Sequence, residues 1–438
     1  MCKSTYHPYQ MLKREIRRWD LVLLLINSII GAGIFGLPSK IYALSGIYSI
    51  AALLVCAVIV LIIVFNFAEV ASRFDKTGGP YLYTLAAFGK IPAFVIGWIL
   101  LITRISTYAA LINLLATYLV YCYPPFQGQI WRAAIISGVT LLLTLINFIG
   151  VKSSTRVSNG LAIAKVLPLF IFVIVGFFFI DTSLIQTSQS YPSSGEFATS
   201  VLVLIFAFTG FESVLVNTGE IQNPAKNIPF ALILSILCVA VFYGLIQVVS
   251  MGTLPGLATS NTPIADAAQL FMGSGGGWLI TVGAVISISG TLNSVMLVGS
   301  RVPYALSEEN QFPGIFGRLH RKYQTPTLSL LLFSGVALLG SLSGSFLYAL
   351  SISVISKILI FLTVCGALIK LRRNKRQPTS YFKLPWGHLF AVGGIFASLW
   401  LLFSSKTAEL IDVLITTAVG LMLFALYKLY TRKSEEKD

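Results

Sequence analysis

Three glycines and a proline fall within eight consecutive residues, Gly31-Ala32-Gly33-Ile34-Phe35-Gly36-Leu37-Pro38, inside an apolar stretch that runs from residue 21 to about 44. Each interior glycine disfavours a helix by about 1 kcal/mol and a proline by about 3 kcal/mol relative to alanine. The spacing therefore predicts a helix broken around Gly31, Gly33 and Gly36. Unwound backbone in hydrocarbon is tolerated only where it lines a cavity or a ligand site. Its free N–H groups and the positive end of a half-helix suit a carboxylate, and its uncapped C=O groups suit an ammonium. A second interruption is expected in Phe206-Ala207-Phe208-Thr209-Gly210-Phe211-Glu212-Ser213, where Gly210 stands near Glu212, read as the only carboxylate deep in any span. Paired interruptions at corresponding positions point to a mid-membrane site, here a receptor for a zwitterion. The competing reading, strongest for Gly210, is a small-residue packing face between membrane helices.

Buried charge adds a second kind of chemistry. Lys165 lies well inside the apolar segment 158–180, where a cation costs about 2.5–3.5 kcal/mol on insertion scales and is functional by default. Releasing its proton removes that cost, which makes Lys165 a candidate for proton coupling, with Glu212 a second. Snorkelling to an interface is the alternative. Arg104 and Lys357 also sit within apolar runs, and Glu212 is their central counter-charge. Which cation it pairs with stays open, and an aqueous vestibule is the alternative surrounding for each. The five cysteines and three histidines have no paired spacing. With no Ser/His, paired-Asp or metal-ligand constellation, neither a catalytic residue nor a metal is expected, and the chain does not read as an enzyme.

The elements that must position these residues follow from composition. Hydrophobic residues make up 56% of the chain and charged ones 11%, with a mean hydropathy of +0.84, against about 25% charged residues in soluble domains. A spanning helix needs roughly 20 apolar residues, and twelve such stretches are found at about 21–44, 47–71, 91–121, 133–151, 158–180, 198–221, 229–252, 277–303, 326–343, 346–370, 385–404 and 409–428. The expectation is an all-α polytopic membrane protein. Its parts are a cytoplasmic N-terminal segment (1–20), a core of ten helices (21–370, with repeats at about 21–180 and 198–370), two further helices (385–428) and a cytoplasmic tail (429–438). The net charge of +15 is carried mostly by alternate loops, only Lys40, Arg132 and Lys406 falling on the other side. That is the positive-inside pattern with both ends cytoplasmic, and the cluster from Lys370 to Arg376 reads as a topology anchor. Anionic lipid headgroups suffice as partners for this charge, so no nucleic acid is expected. The first apolar run is too long for a cleavable signal. Between spans seven and eight, 253–277 reads as an element outside the membrane, with Ile264 to Phe271 helix-like and Asp266 near its start.

Taken as an ordered set, these residues resemble the amino acid/polyamine/organocation (APC) superfamily of permeases. The resemblance rests on Gly31 to Pro38; on Ser72-Arg73-Phe74 with Gly78-Gly79-Pro80-Tyr81 and Phe88-Gly89; and on Gly97-Trp98. It continues with Phe208 to Glu212, then Gly219-Glu220-Ile221-Gln222-Asn223-Pro224 and Ile228-Pro229, and ends with Arg301-Val302-Pro303-Tyr304-Ala305-Leu306. It covers about 21–370. It implies twelve helices, a leucine-transporter-like five-plus-five inverted repeat with helices 1 and 6 broken, and an amino acid moved by alternating access.

Residue by residue, the resemblance implies that the amides of Ala32, Gly33 and Ile34 receive the substrate carboxylate. The carbonyls of Ile29, Phe206, Ala207 and Thr209 would receive its amino group, with Phe206 closing over it as a gate. Ala32 stands where many relatives have serine, so one hydroxyl contact is missing. Lys165 matches a lysine that replaces a sodium ion in proton-coupled members and bridges the first and eighth spans, where Ser287, Ser289 and Thr291 are candidate partners. A cationic substrate calls for a spare acid, and apart from Glu212 the central spans offer none. The expectation is therefore a proton-coupled symporter of a neutral amino acid in the inner membrane, with the proton as coupling ion and no cofactor. Some exchangers carry the same lysine, so an amino acid exchanger or a cationic amino acid/polyamine antiporter is the alternative. A non-transporting nutrient sensor is the alternative of a different class, and would call for a signalling domain that no stretch here has the composition to form.

Overall fold

Backbone N–H and C=O groups in hydrocarbon find partners only within the protein, which restricts a spanning segment to a helix or a closed barrel. The computed structural model describes residues 16–74, 79–149, 155–185, 191–212, 221–323, 325–374 and 382–435, and every regular element among them is a helix. One isolated bridge joins Ile16 to Ile221. The first half of the chain contains α1 (Arg18–Ile29), α2 (Leu37–Ser45), α3 (Ser49–Ala71), α4 (Gly79–Phe88), α5 (Lys90–Cys122), α6 (Gln129–Ile149), α7 (Thr155–Gly176), α8 (Thr182–Ile185) and α9 (Ser194–Phe208). The second contains α10 (Pro224–Thr253), α11 (Pro263–Gly299), α12 (Arg301–Glu308), α13 (Thr327–Ser343), α14 (Phe346–Arg373), α15 (Gly387–Phe403) and α16 (Thr407–Glu435). Among the described residues seven helical segments are long and apolar enough to cross a membrane. Of the sequence motifs, Gly78, Ser213, Gly219, Glu220, Lys375 and Arg376 lie outside the described residues, as do most of the N-terminal segment and the end of the tail.

Local chemistry sets several helix ends. Ser193 and Glu196 form a capping box, Glu196 N–H donating to Ser193 Oγ at 3.2 Å and Ser193 N–H to Glu196 Oε2 at 2.9 Å. Two orphan donors are satisfied reciprocally, which starts α9 ahead of the apolar stretch it carries. Within α11, Gly273 (φ +69°, ψ −168°) is non-helical and divides the helix that begins at Pro263, which contains Ile264 to Phe271, from the longer helix that follows. Asp266, in its first turn, accepts the hydroxyls of Ser260 at 2.5 Å and Thr262 at 3.1 Å.

α1, the short 3-10 turn Ala32–Phe35 and α9 lie at the centre. Around them α10 packs on α1, α2 and α3 on α9, α11 on the 3-10 turn, and α14 on α9. The outermost helices expose apolar side chains, such as Leu141, Leu142 and Leu145 of α6 and Leu414, Ile415 and Met422 of α16. Lipid tails are as apolar as leucine, so this is the surface of an integral membrane protein.

Glu212 is not the only buried carboxylate. Glu69, near the end of α3, is 0% exposed. Arg372 of α14 donates to Glu69 Oε1 at 2.8 Å and to Oε2 at 2.5 Å, Arg73 donates to Oε1 at 3.1 Å, and the Leu384 amide donates to Oε2 at 2.9 Å. A charge this buried persists only when paired and hydrogen-bonded, and here two guanidinia and an amide meet it. The cluster ties the ends of α3 and α14 to the segment entering α15.

Candidate functional site

α1 ends at Ile29. Ile30 and Gly31 (φ −108°, ψ −162°) leave the helical region, the 3-10 turn Ala32–Phe35 follows, and α2 resumes at Leu37. Pro38 stands in the first turn of α2, where its missing N–H costs nothing. α9 ends in the same manner at Phe208. Thr209 is extended (φ −82°, ψ 160°), Gly210 has φ +126°, and Phe211 and Glu212 turn back into helix.

The two interruptions abut. Ser28 Oγ donates to the Gly210 carbonyl at 2.9 Å, and a Cβ on Gly210 would collide with the Ser28 carbonyl oxygen. Only glycine combines that positive φ with so close an approach. The Gly210 amide donates to Glu212 Oε2 at 2.8 Å, so the carboxylate holds the turn from its far side. At the other end of the contact, the Phe206 ring covers Gly33, leaving 2.9 Å between its Cδ1 and the position of a Cβ there. Gly31 adopts a backbone open to any residue, and Gly36 faces the side chain of Leu114. The glycine requirement of the first break thus comes from packing at Gly33 and Gly36.

A helix cannot satisfy its own last four carbonyls, and here side chains from neighbouring helices do so. The Tyr243 hydroxyl of α10 lies 3.1 Å from the Ile29 carbonyl and 3.1 Å from the Ala207 carbonyl, joining the last turns of α1 and α9. Lys165 of α7 donates to the Asn27 carbonyl. The Thr209 hydroxyl donates to the Phe206 carbonyl at 2.8 Å and accepts from Lys357 Nζ of α14 at 2.6 Å. The Phe206 carbonyl also accepts the Thr209 amide at 3.4 Å, which engages both of its lone pairs. At the start of the 3-10 turn, the Ala32 and Gly33 amides stand ahead of its i→i+3 bonds and belong to the donors that a helix start leaves unpaired.

The residues singled out from sequence are distributed as follows. Ile29 and Ala207 are joined through Tyr243, Gly33 and Phe206 through their packing, and Ile34, Phe206, Ala207 and Thr209 are all buried. Glu212 is buried beside Gly210, and both Arg104 and Lys357 lie within electrostatic reach of it. Thr291 bonds its own helix, donating to the Ser287 carbonyl at 2.8 Å, and Ser287 Oγ has no hydrogen-bond partner among the described residues. Lys165 thus meets the first helix, at the Asn27 carbonyl. Sequence reasoning missed Ser28 and Tyr243. Tyr243 is one of 18 tyrosines, and no spacing distinguishes it. Lys357 carried a signal, a charge inside an apolar run, but nothing in the sequence named Thr209 as its partner.

Comparison with known proteins places the chain among transporters of amino acids. The chain is 28% identical to the branched-chain amino acid permease BcaP of Bacillus subtilis (strain 168), over 95% of this chain and 93% of that protein. It is 26% identical to the serine/threonine exchanger SteT of the same organism, over 95% and 96%. It is 27% identical to an arginine/agmatine antiporter of Chlamydia pneumoniae, over 92% and 87%. A family model described as amino acid permease matches residues 16–424, and the chain accordingly belongs to the amino acid permease family of the APC superfamily.

Proposed function

We propose that this protein is a secondary active transporter that moves an amino acid across the inner membrane by alternating access. Its twelve spans would be arranged as a five-plus-five inverted repeat with both ends in the cytoplasm. The observation that carries this is the direct contact of the two interruptions, Ser28 against Gly210 and Gly33 against Phe206. Helix-start amides of Ala32, Gly33 and Ile34 would take the substrate carboxylate. The carbonyls of Ile29, Phe206, Ala207 and Thr209 would take the ammonium, and Phe206 would close over both. Around the breaks Glu212 is the one carboxylate among the described residues, so a cationic side chain finds no acid of its own. That leaves a side chain without positive charge, the neutral one expected from sequence or an anionic one.

Proton-coupled symport through Lys165 is the leading mode. Its ammonium holds a carbonyl in the last turn of α1, so losing the proton would release the break it braces. One proton crossing 100 mV and one pH unit supplies roughly 3.7 kcal/mol, enough for several-hundred-fold accumulation of a zwitterion. Exchange is the second reading, supported by the likeness to an exchanger and an antiporter.

Uptake of radiolabelled amino acids into proteoliposomes decides between them. Gradient-driven uptake into empty vesicles selects symport, and dependence on internal amino acid selects exchange. Lys165→Ala is expected to abolish the response to an imposed pH gradient while sparing some exchange or binding. A pH response that survives in Lys165→Ala rules out its role in coupling.

A further inference from the structure

Lys357 has no assigned part in recognising the α-amino or α-carboxyl group, yet it reaches the centre of the site. It is 5% exposed, donates to Thr209 Oγ1 at 2.6 Å and stands 5.2 Å from the centroid of the Phe206 ring. That ring is the one packed on Gly33. An ammonium carries three donors, and among the described residues this one makes a single hydrogen bond, to Thr209.

A second cation stands at the same level. α5 and α14 run antiparallel: Leu114 of α5 and Phe346 of α14 both reach Gly36, while Phe88, just before α5, meets Lys370 near the end of α14. The hydroxyls of Thr107 and Ser353, 2.7 Å apart, join the two helices midway. Arg104 lies one turn before Thr107 and Lys357 one turn after Ser353, so in an antiparallel pair both steps lead the same way. Both cations sense Glu212, one oxygen of which is engaged by the Gly210 amide. Lys165, at the Asn27 carbonyl, and Lys357, at Thr209, are two basic side chains in contact with the breaks, and Glu212 is the one carboxylate there among the described residues.

A zwitterion bound by its two backbone charges leaves that excess of positive charge unchanged. A third, anionic group on the substrate would offset it, and in a low-dielectric site a charge-assisted hydrogen bond from an ammonium is stronger than a neutral one. We infer that the site takes amino acids whose side chain ends in a carboxylate, and that Lys357 is the specificity-determining residue that reads it. This rests on the transport reading above and narrows its substrate class.

The test compares each acidic amino acid with its near-isosteric amide in proteoliposomes at pH 7. Glutamate and aspartate are expected to be taken up, or to compete for uptake, at concentrations at least ~10-fold lower than glutamine and asparagine, the ratio that one charged hydrogen bond supplies. Lys357→Arg is expected to keep the acid preference, and Lys357→Met to reduce the acid-to-amide ratio to near one. Equal use of acid and amide by the unmodified protein, or a preference for the amide or for leucine, overturns the inference and leaves amino acid transport standing. An acid preference undiminished in folded Lys357→Met removes Lys357 from the role. If no amino acid is taken up or competes, the transport reading itself fails. The comparison in the unmodified protein needs no variant, so misfolding of Lys357→Met cannot mask the result.

Discussion

Gly31 and Gly210 both stand where a helix comes apart, and the backbone asks different things of them. Gly31 is extended, and a Cβ there would meet only the Ile29 carbonyl at 3.7 Å. Gly210 combines φ +126° with contact against Ser28. Gly31→Ala is therefore expected to lower stability by less than about 1 kcal/mol, and Gly210→Ala by more than about 2 kcal/mol, since left-handed strain and backbone collision add. Thermal unfolding of the purified protein in detergent checks both, and equal losses would contradict this description. At this scale the sequence was informative wherever a residue type is costly in lipid: a glycine run, an acid, a lysine. It was silent on Ser28 and Tyr243, because a hydroxyl in an apolar helix is ordinary and its partner arrives from another part of the chain.

Among the elements, hydropathy located α5, α6, α13, α14 and α15 to within a few residues, because a segment crossing lipid must be apolar along its length. It started α9 late where polar chemistry sets the boundary, at the Ser193–Glu196 cap, whereas the helix of Ile264 to Phe271 was legible apart from the one beyond Gly273. It also overlooked Glu69, although Arg73 four residues on is the helical spacing of an ion pair. The ends of α3 and α14 depend on that carboxylate. Glu69→Ala leaves Arg372 and Arg73 without their shared acceptor and is expected to cost about 3–5 kcal/mol, read as a lowered unfolding temperature. A loss below about 1 kcal/mol would mean that water replaces the carboxylate.

For the whole molecule, the basic residues carry the argument about orientation. Arg373 closes α14 and Lys406 precedes α16, with α15 between them. If α15 crosses the membrane and the positive-inside distribution holds, the two lie on opposite faces. In a cysteine-free background, Lys406→Cys is expected to react with a membrane-impermeant thiol reagent added to intact cells, and Arg373→Cys only after permeabilisation. Labelling of both from one side would remove the twelve-span arrangement, and labelling with the sides exchanged would reverse the orientation.

The Tyr243 hydroxyl has one proton and faces two carbonyls at equal range. It can serve only one fully at any instant, so the last turns of α1 and α9 hang from a shared, under-supplied rivet. An incoming ammonium, with three protons to give, can satisfy both oxygens where the phenol cannot. Arrival of cargo would then swap a weak internal fastening for a stronger borrowed one, and its departure would restore the phenol to its post.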